Sequence, residues 1–187
     1  MKTVKAVKIL EVVKNGEVVD AVEGGEVLRV ESGGQVVRVS DGGRVMCVGD
    51  GGKVMCVEDG GWVGRVEARG WVGRLAGGEV AYVSAGGRVM RVLSCGVVEC
   101  VEDGGVVVRV EDGGHVVRVS DGGRVMHVED GGRVEFILAG GVVERVEHGG
   151  RVMRVLAGGV IKRVAAGGRV VMGWGKNSQR QSNKLNL

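Results

Sequence analysis

Arginine recurs at one position of a nine-residue repeat, and it is the residue type in this chain best suited to binding a ligand. From residue 24 to 172 the chain consists of units such as Gly-Gly-Arg-Val-Met-His-Val-Glu-Asp at 122–130, whose residues are numbered here as positions 1 to 9. Position 6 is arginine in ten of the seventeen units. Arginines spaced along a rod can grip the phosphates of a polyanion such as nucleic acid. The candidate binding residues are Arg29, Arg38, Arg109, Arg118, Arg145, Arg154 and Arg163.

The acidic residues at positions 8 and 9 allow a second interpretation of the same arginines. Pairs such as Glu111-Asp112 and Glu129-Asp130 follow position 6 closely. Stacked units would then pair arginine with glutamate on a solvated face, and we favour this interpretation over polyanion binding. The 26 basic and 23 acidic residues are closely interleaved, which predicts no large single-sign field. Nucleic acid is therefore not the expected partner, although the sequence leaves it open.

The other reactive side chains do not form a constellation for catalysis or metal binding. His115, His127 and His148 occupy positions 3, 6 and 9 of their units and share no column. The recurring aspartate of position 9 offers about one carboxylate per turn, whereas calcium needs six or more oxygens. No phosphate-binding loop or nucleophile motif is present. We expect no enzyme activity, no metal and no cofactor.

The four cysteines are Cys47, Cys56, Cys95 and Cys100. Their spacing matches neither a zinc site nor a redox pair. We expect free thiols, in keeping with a reducing compartment.

The composition favours strands over helices. The chain has 38 glycines and no proline, and valine fills positions 4 and 7 of nearly every unit. Valine packs well on a pleated sheet, whereas this much glycine would weaken a helix. The Asp-Gly-Gly segments between the valine pairs are turn sequences, because glycine adopts positive φ without steric cost. Positions 4 and 7 are the predicted core.

Two β architectures fit such units, and a disordered or aggregating chain is a third outcome. In an antiparallel β-meander, positions 4 and 7 would face opposite sides, because side chains alternate along a strand. In a β-solenoid, a bend within each unit lets both valines point inward, and equivalent residues of stacked coils form columns. We predict the all-β solenoid, a parallel β-helix or β-roll, with about two repeats per coil.

Known nonapeptide repeats resemble this pattern in part. The Gly-Gly period is similar to that of the calcium-binding repeat-in-toxin β-roll, whose unit reads G-G-x-G-x-D-x-U-x. Here position 4 is valine, and position 6 is arginine, cysteine or histidine, so the calcium-binding aspartate is missing. The segment 30–37, Val-Glu-Ser-Gly-Gly-Gln-Val-Val, resembles the repeats in passengers of diffuse-adherence-type autotransporter adhesins. That resemblance implies a solenoid with an adhesion-like surface.

Three regions and one irregular unit follow from the repeat boundaries. Residues 1–23 are predicted to be a degenerate N-terminal cap, residues 24–172 the solenoid, and residues 173–187 a disordered polar tail. The unit at 69–76 has eight residues, and we expect a bulge or a change of register there.

The sequence predicts the kind of molecule more clearly than its role. It has no visible signal peptide and no apolar run long enough to span a membrane, so the expected location is the cytoplasm. The predicted function is a structural or interaction scaffold that self-associates through its ends or open sheet edges. A recently duplicated or fortuitous reading frame without a selected function is an alternative, because the residues at positions 3 and 6 differ mostly by single-base changes.

Overall fold

The computed structural model describes residues 3–4 and 9–173, and these form a two-sheet parallel β-solenoid. Successive strands alternate between the two sheets, so each coil contributes one strand to each. No helix occurs among the described residues, and therefore none that could span a membrane. The predicted solenoid with two repeats per coil is confirmed, and every strand pairing is parallel, unlike a meander.

Within the described residues, each sheet has ten strands. The first, called sheet A, contains β1 (Thr3–Val4), β3 (Val18–Glu23), β5 (Gln35–Ser40), β7 (Lys53–Val57), β9 (Trp71–Ala76), β11 (Arg88–Leu93), β13 (Val106–Val110), β15 (Arg124–Val128), β17 (Val142–Val146) and β19 (Val160–Val164). The second, called sheet B, contains β2 (Ile9–Val13), β4 (Glu26–Val30), β6 (Arg44–Val48), β8 (Trp62–Val66), β10 (Glu79–Val83), β12 (Val97–Val101), β14 (His115–Val119), β16 (Arg133–Ile137), β18 (Arg151–Val155) and β20 (Arg169–Gly173).

The core consists almost entirely of the residues at positions 4 and 7. In β13, for example, Val107 and Val110 are fully buried, while Arg109 is exposed. The ladder pairs residues at positions 3, 4, 6 and 7 with their equivalents in the next coil, but skips position 5. Strict alternation would turn position 7 outward, so the break at position 5 is what directs both valines into the core.

The two glycines of each turn serve different purposes. The first adopts positive φ, as Gly104 does at 72°, and the N–H of the second donates to the carbonyl of position 8, as Gly105 does to Glu102 at 2.7 Å. A Cβ on Gly105 would lie 2.0 Å from the Val83 carbonyl oxygen of the preceding coil. That oxygen accepts the N–H of Glu102 at 2.9 Å and cannot retreat without loss of the bond.

This difference explains where the repeat tolerates exceptions. Position 1 is replaced twice, by Arg69 and Cys95, and both adopt the left-handed conformation with φ of 65°. The preceding residues, Ala68 and Ser94, also have positive φ, as in a type I′ turn. Position 2 is glycine in all seventeen units, because a side chain there would collide with backbone.

The eight-residue unit does not change the register, so that expectation was wrong. Val72 pairs with Val54 before it and Val89 after it, and Leu75 continues the position-7 column between Val57 and Val92. Three residues separate Leu75 from the next strand, where regular units have four. The missing residue is thus removed from the turn, and the strand keeps its place.

The N-terminal region joins the same two sheets. β2 and β3 pair in parallel with β4 and β5, in the register of the later coils. The proposed boundary of a cap at residue 23 stays a prediction. The predicted polar tail lies outside the described residues, except for Gly173, which ends β20.

Candidate interaction surfaces

The seven predicted arginines lie on two outer faces of the solenoid instead of along one line. Arg38, Arg109, Arg145 and Arg163 belong to sheet A, and Arg29, Arg118 and Arg154 belong to sheet B. The register brings only one pair of the seven into adjacent strands, Arg145 and Arg163. The other five arginines therefore have no neighbour from this set in an adjacent strand.

Most of these arginines contact a glutamate at position 8. Arg29 pairs within its own unit with Glu31 at 3.0 Å, and Arg145 pairs in the same way with Glu147 at 3.2 Å. Arg38 and Arg109 reach the glutamate of the next coil, at 3.5 Å and 3.6 Å. The side chains remain about half exposed, so each pair contributes little to stability.

One pair has the geometry of a strong, two-point interaction. Arg91 donates from Nε and Nη2 to the two carboxylate oxygens of Glu111, both at 2.6 Å. This hydrogen bonding holds the pKa of Glu111 below its ordinary value. The same bond raises the pKa of Arg91, which stays charged at any physiological pH.

The remaining predicted arginines have other neighbours. The Arg154 guanidinium lies 5.6 Å from the centre of the Phe136 ring, a cation–π distance. Arg118 lies in register between Cys100 and Phe136. Arg118, Arg154 and Arg163 make no ion pair with any described residue.

The histidines are separated and do not form a site. His115 Nε2 is 3.2 Å from Glu135 Oε1, but the ring is not aligned for a hydrogen bond. His127 Nδ1 is 3.5 Å from Glu147, and His148 is exposed in a turn. Within residues 3–4 and 9–173, no three His, Cys, Asp or Glu side chains converge as metal ligands would.

The four cysteines are free thiols in different surroundings. Cys100 is buried, Cys47 and Cys56 are partly buried, and Cys95 is exposed at a turn. Burial raises the pKa of Cys47, Cys56 and Cys100, and neighbouring glutamates add to the effect. A raised pKa favours the protonated thiol, which is the less reactive form.

An aromatic patch interrupts the charged surface of sheet B. The Trp62 indole lies over Gly64, where a Cβ would be 2.7 Å from the ring. Beside it, the Arg65 guanidinium is 5.9 Å from the centre of the Tyr82 ring. These residues line a shallow depression of about 490 Å³. Trp71 and Gly73 repeat the stacking on sheet A, which explains the duplicated Trp-Val-Gly-Arg sequence.

Charge is distributed unevenly along the chain. Residues 1–130 contain sixteen Lys and Arg and twenty Asp and Glu, whereas residues 131–173 contain seven and three. The glutamates of position 8 end at Glu147, and Leu156 and Ala165 occupy that position in the last two complete units. Counting charge by segment would have revealed this basic end from the sequence.

Comparisons with known proteins show only a weak similarity to solved structures. No protein-family model matches the chain, and no curated protein matches it. Among solved structures, a TibC-catalyzed hyper-glycosylated TibA55-350 fragment is 20% identical in sequence. The match covers 92% of this chain and 98% of that chain, with a TM-score of 0.32. At such a TM-score, the similarity adds nothing to what the strands themselves show.

Proposed function

We propose that this chain is a non-enzymatic scaffold, a stiff β-solenoid whose outer faces serve as interaction surfaces. The observation that carries the proposal is the unbroken register of two ten-stranded parallel sheets around one valine core. Such stacking fixes the outward residues of each coil at intervals of about 4.8 Å. A fixed array of this kind suits repeated contacts with an extended partner.

The test is far-UV circular dichroism together with analytical ultracentrifugation of the full chain. A β-rich spectrum and an elongated monomer or small oligomer, unchanged by calcium, are expected. A random-coil spectrum would overturn the proposal, because the valine columns would then not form a core. An oligomer that persists on dilution would support self-association through the solenoid ends. Self-association and a cytoplasmic location both stay proposals.

Polyanion binding through the position-6 arginines is the second candidate. It is favoured by the exposure of Arg29, Arg38 and Arg109 on the outer faces, and opposed by their pairing with position-8 glutamates. Salt-dependent retention on heparin that is lost after Arg→Gln changes at these positions would support it. Absence of retention near 100 mM salt would exclude it.

A further inference from the structure

The C-terminal part of sheet B carries four arginines whose charges are not neutralised by neighbours. Arg133, Arg151 and Arg169 are the position-3 residues of their repeat units, and they begin β16, β18 and β20. The three lie in register with one another. Arg154 lies on β18, three residues beyond Arg151. All four are exposed, and none makes an ion pair with a described residue. We call these four residues the basic face.

The surrounding carboxylates already contact other basic groups. The acidic residues of segment 131–173 are Glu135, Glu144 and Glu147. Glu135 lies 3.2 Å from His115, Glu144 accepts from Lys162 at 2.7 Å, and Glu147 is shared by Arg145 and His127. None of these three glutamates forms an ion pair with the basic face.

The contact between His115 and Glu135 shows why the position-3 arginines of the basic face have no acidic partner. The histidine at position 3 meets the residue at position 5 of the next coil. For Arg133 and Arg151 the corresponding residues are Met153 and Val171, which carry no charge. These arginines therefore face solvent without a partner, unlike most position-6 arginines of earlier coils.

A depression next to the basic face provides room for an anionic group. It has a volume of about 470 Å³ and is lined by Arg151, Arg169 and His148, together with turn glycines. Asp130 is the one acidic residue in its lining. Two arginines therefore border a glycine-lined hollow, and arginine is the side chain that can bind phosphate oxygens at two points.

We propose that the basic face binds a linear chain of phosphate groups, as found in inorganic polyphosphate, running along the solenoid axis. The three position-3 arginines repeat at the coil spacing of about 4.8 Å, so a linear ligand can contact all three. Trp62 and Tyr82, which could stack nucleic-acid bases, lie on β8 and β10, several coils away. The Phe136 ring lies on β16, but the Arg154 guanidinium is already over it. A ligand whose phosphates carry no bases therefore fits better than a single-stranded nucleic acid. This proposal deepens the scaffold function by naming a partner.

The test compares two triple variants of the full chain that lose equal charge. The first is Arg133→Gln, Arg151→Gln and Arg169→Gln, on the basic face. The matched control is Arg29→Gln, Arg38→Gln and Arg109→Gln, whose arginines are ion-paired. Binding of fluorescently labelled inorganic polyphosphate is measured by anisotropy at about 50 and 200 mM salt. Circular dichroism of each variant confirms that the fold is retained.

We expect the basic-face variant to bind polyphosphate at least about tenfold more weakly, with a salt slope smaller by about two, because up to three phosphate contacts are lost. The control should stay within about threefold of the parent chain. Equal losses in both variants would overturn the proposal, since net charge alone would explain them. Absence of binding by a folded parent chain would also overturn it, while leaving the scaffold function intact.

A single-stranded oligonucleotide with the same number of phosphates is the second probe. Binding equal to or weaker than that of polyphosphate would support recognition of phosphates alone. Binding of the oligonucleotide without binding of polyphosphate would overturn the proposal in favour of a nucleic acid.

Discussion

At the scale of single residues, the Gly-Gly turn shows how two identical neighbours can be required for unrelated reasons. Gly51 has a φ of 82° and open space around its Cα, so a side chain there meets only backbone strain. Gly52 approaches the Val30 carbonyl oxygen so closely that a Cβ would lie 2.2 Å from it. The first constraint is conformational and the second is steric.

The two requirements predict different costs for the same substitution. Gly51→Ala should destabilise the fold by about 1 kcal/mol, the cost of a left-handed alanine. Gly52→Ala should cost about 3 kcal/mol, because the coils must separate to admit a methyl group. Urea unfolding followed by circular dichroism measures both. Equal losses would contradict the steric argument.

The Arg91–Glu111 pair predicts a pH dependence of stability. The pKa of Glu111 is lowered in the folded state by its hydrogen bonds to Arg91. The stabilisation is therefore present above the pKa of the unfolded chain and is lost as the pH falls through the lower, folded value. Glu111→Gln should lower the urea midpoint at pH 7, and the deficit should shrink towards zero at acid pH.

The control for this measurement is Glu79→Gln. Glu79 lies in register between Trp62 and Val97 and forms no ion pair with the described residues. Its replacement should change the urea midpoint little at either pH. A Glu111→Gln deficit that stays constant between pH 7 and about pH 3 would show that the carboxylate charge is not what the variant removes.

Thiol reactivity should separate the four cysteines. Cys95 is exposed at its turn, whereas Cys47, Cys56 and Cys100 are partly or fully buried with raised pKa values. Iodoacetamide at pH 8 should modify Cys95 several-fold faster than the others, because the thiolate is the reactive form. Mass spectrometry of digested protein identifies the site. Loss of the fast phase in Cys95→Ser is expected, and its persistence would refute the assignment.

At the scale of elements, each strand is held by its register and each turn by its length. The sequence was sufficient to predict the strands, the turns and the inward positions 4 and 7, because valine and glycine recur with a fixed period. It was not sufficient to predict the outcome at 69–76, since a missing residue can be absorbed by either a strand or a turn. The structure places the loss in the turn after Leu75, where one residue fewer leaves every valine pair intact.

This location predicts effects of very different size for one glycine inserted at two different sites. An insertion between Gly77 and Gly78 restores a turn of regular length and should change the free energy of unfolding by less than about 1 kcal/mol. An insertion between Val72 and Gly73 moves Leu75 out of its column, since a shift of one residue reverses the side-chain faces. It should destabilise the chain several times more. Urea unfolding of both variants is the measurement, and equal effects would contradict a turn-located deletion.

At the scale of the whole molecule, the sequence predicted a regular solenoid but not where its unpaired positive charges lie. The predicted column of position-6 arginines is divided between two faces, and most of these arginines are paired with glutamate. Three of the arginines without an ion pair lie at position 3 of the last coils, a position that varies too much among units to stand out as a column. Only the register shows that Arg133, Arg151 and Arg169 are neighbours.

Burial of the valine columns is also unequal along the solenoid, and this predicts unequal stability. Val110 and Val164 occupy position 7 of sheet A in the same column, but Val110 is fully buried and Val164 is 37% exposed. Val110→Ala should cost about 2–3 kcal/mol, because it removes two buried methyl groups and leaves a cavity. Val164→Ala should cost less than about 1 kcal/mol. Urea unfolding, at a protein concentration where ultracentrifugation shows a monomer, measures the two variants. Equal costs would mean that the last coil is covered in solution. The comparison would then be repeated at higher protein concentration. A cost of Val164→Ala that rises with concentration would show that a second copy of the chain covers this coil.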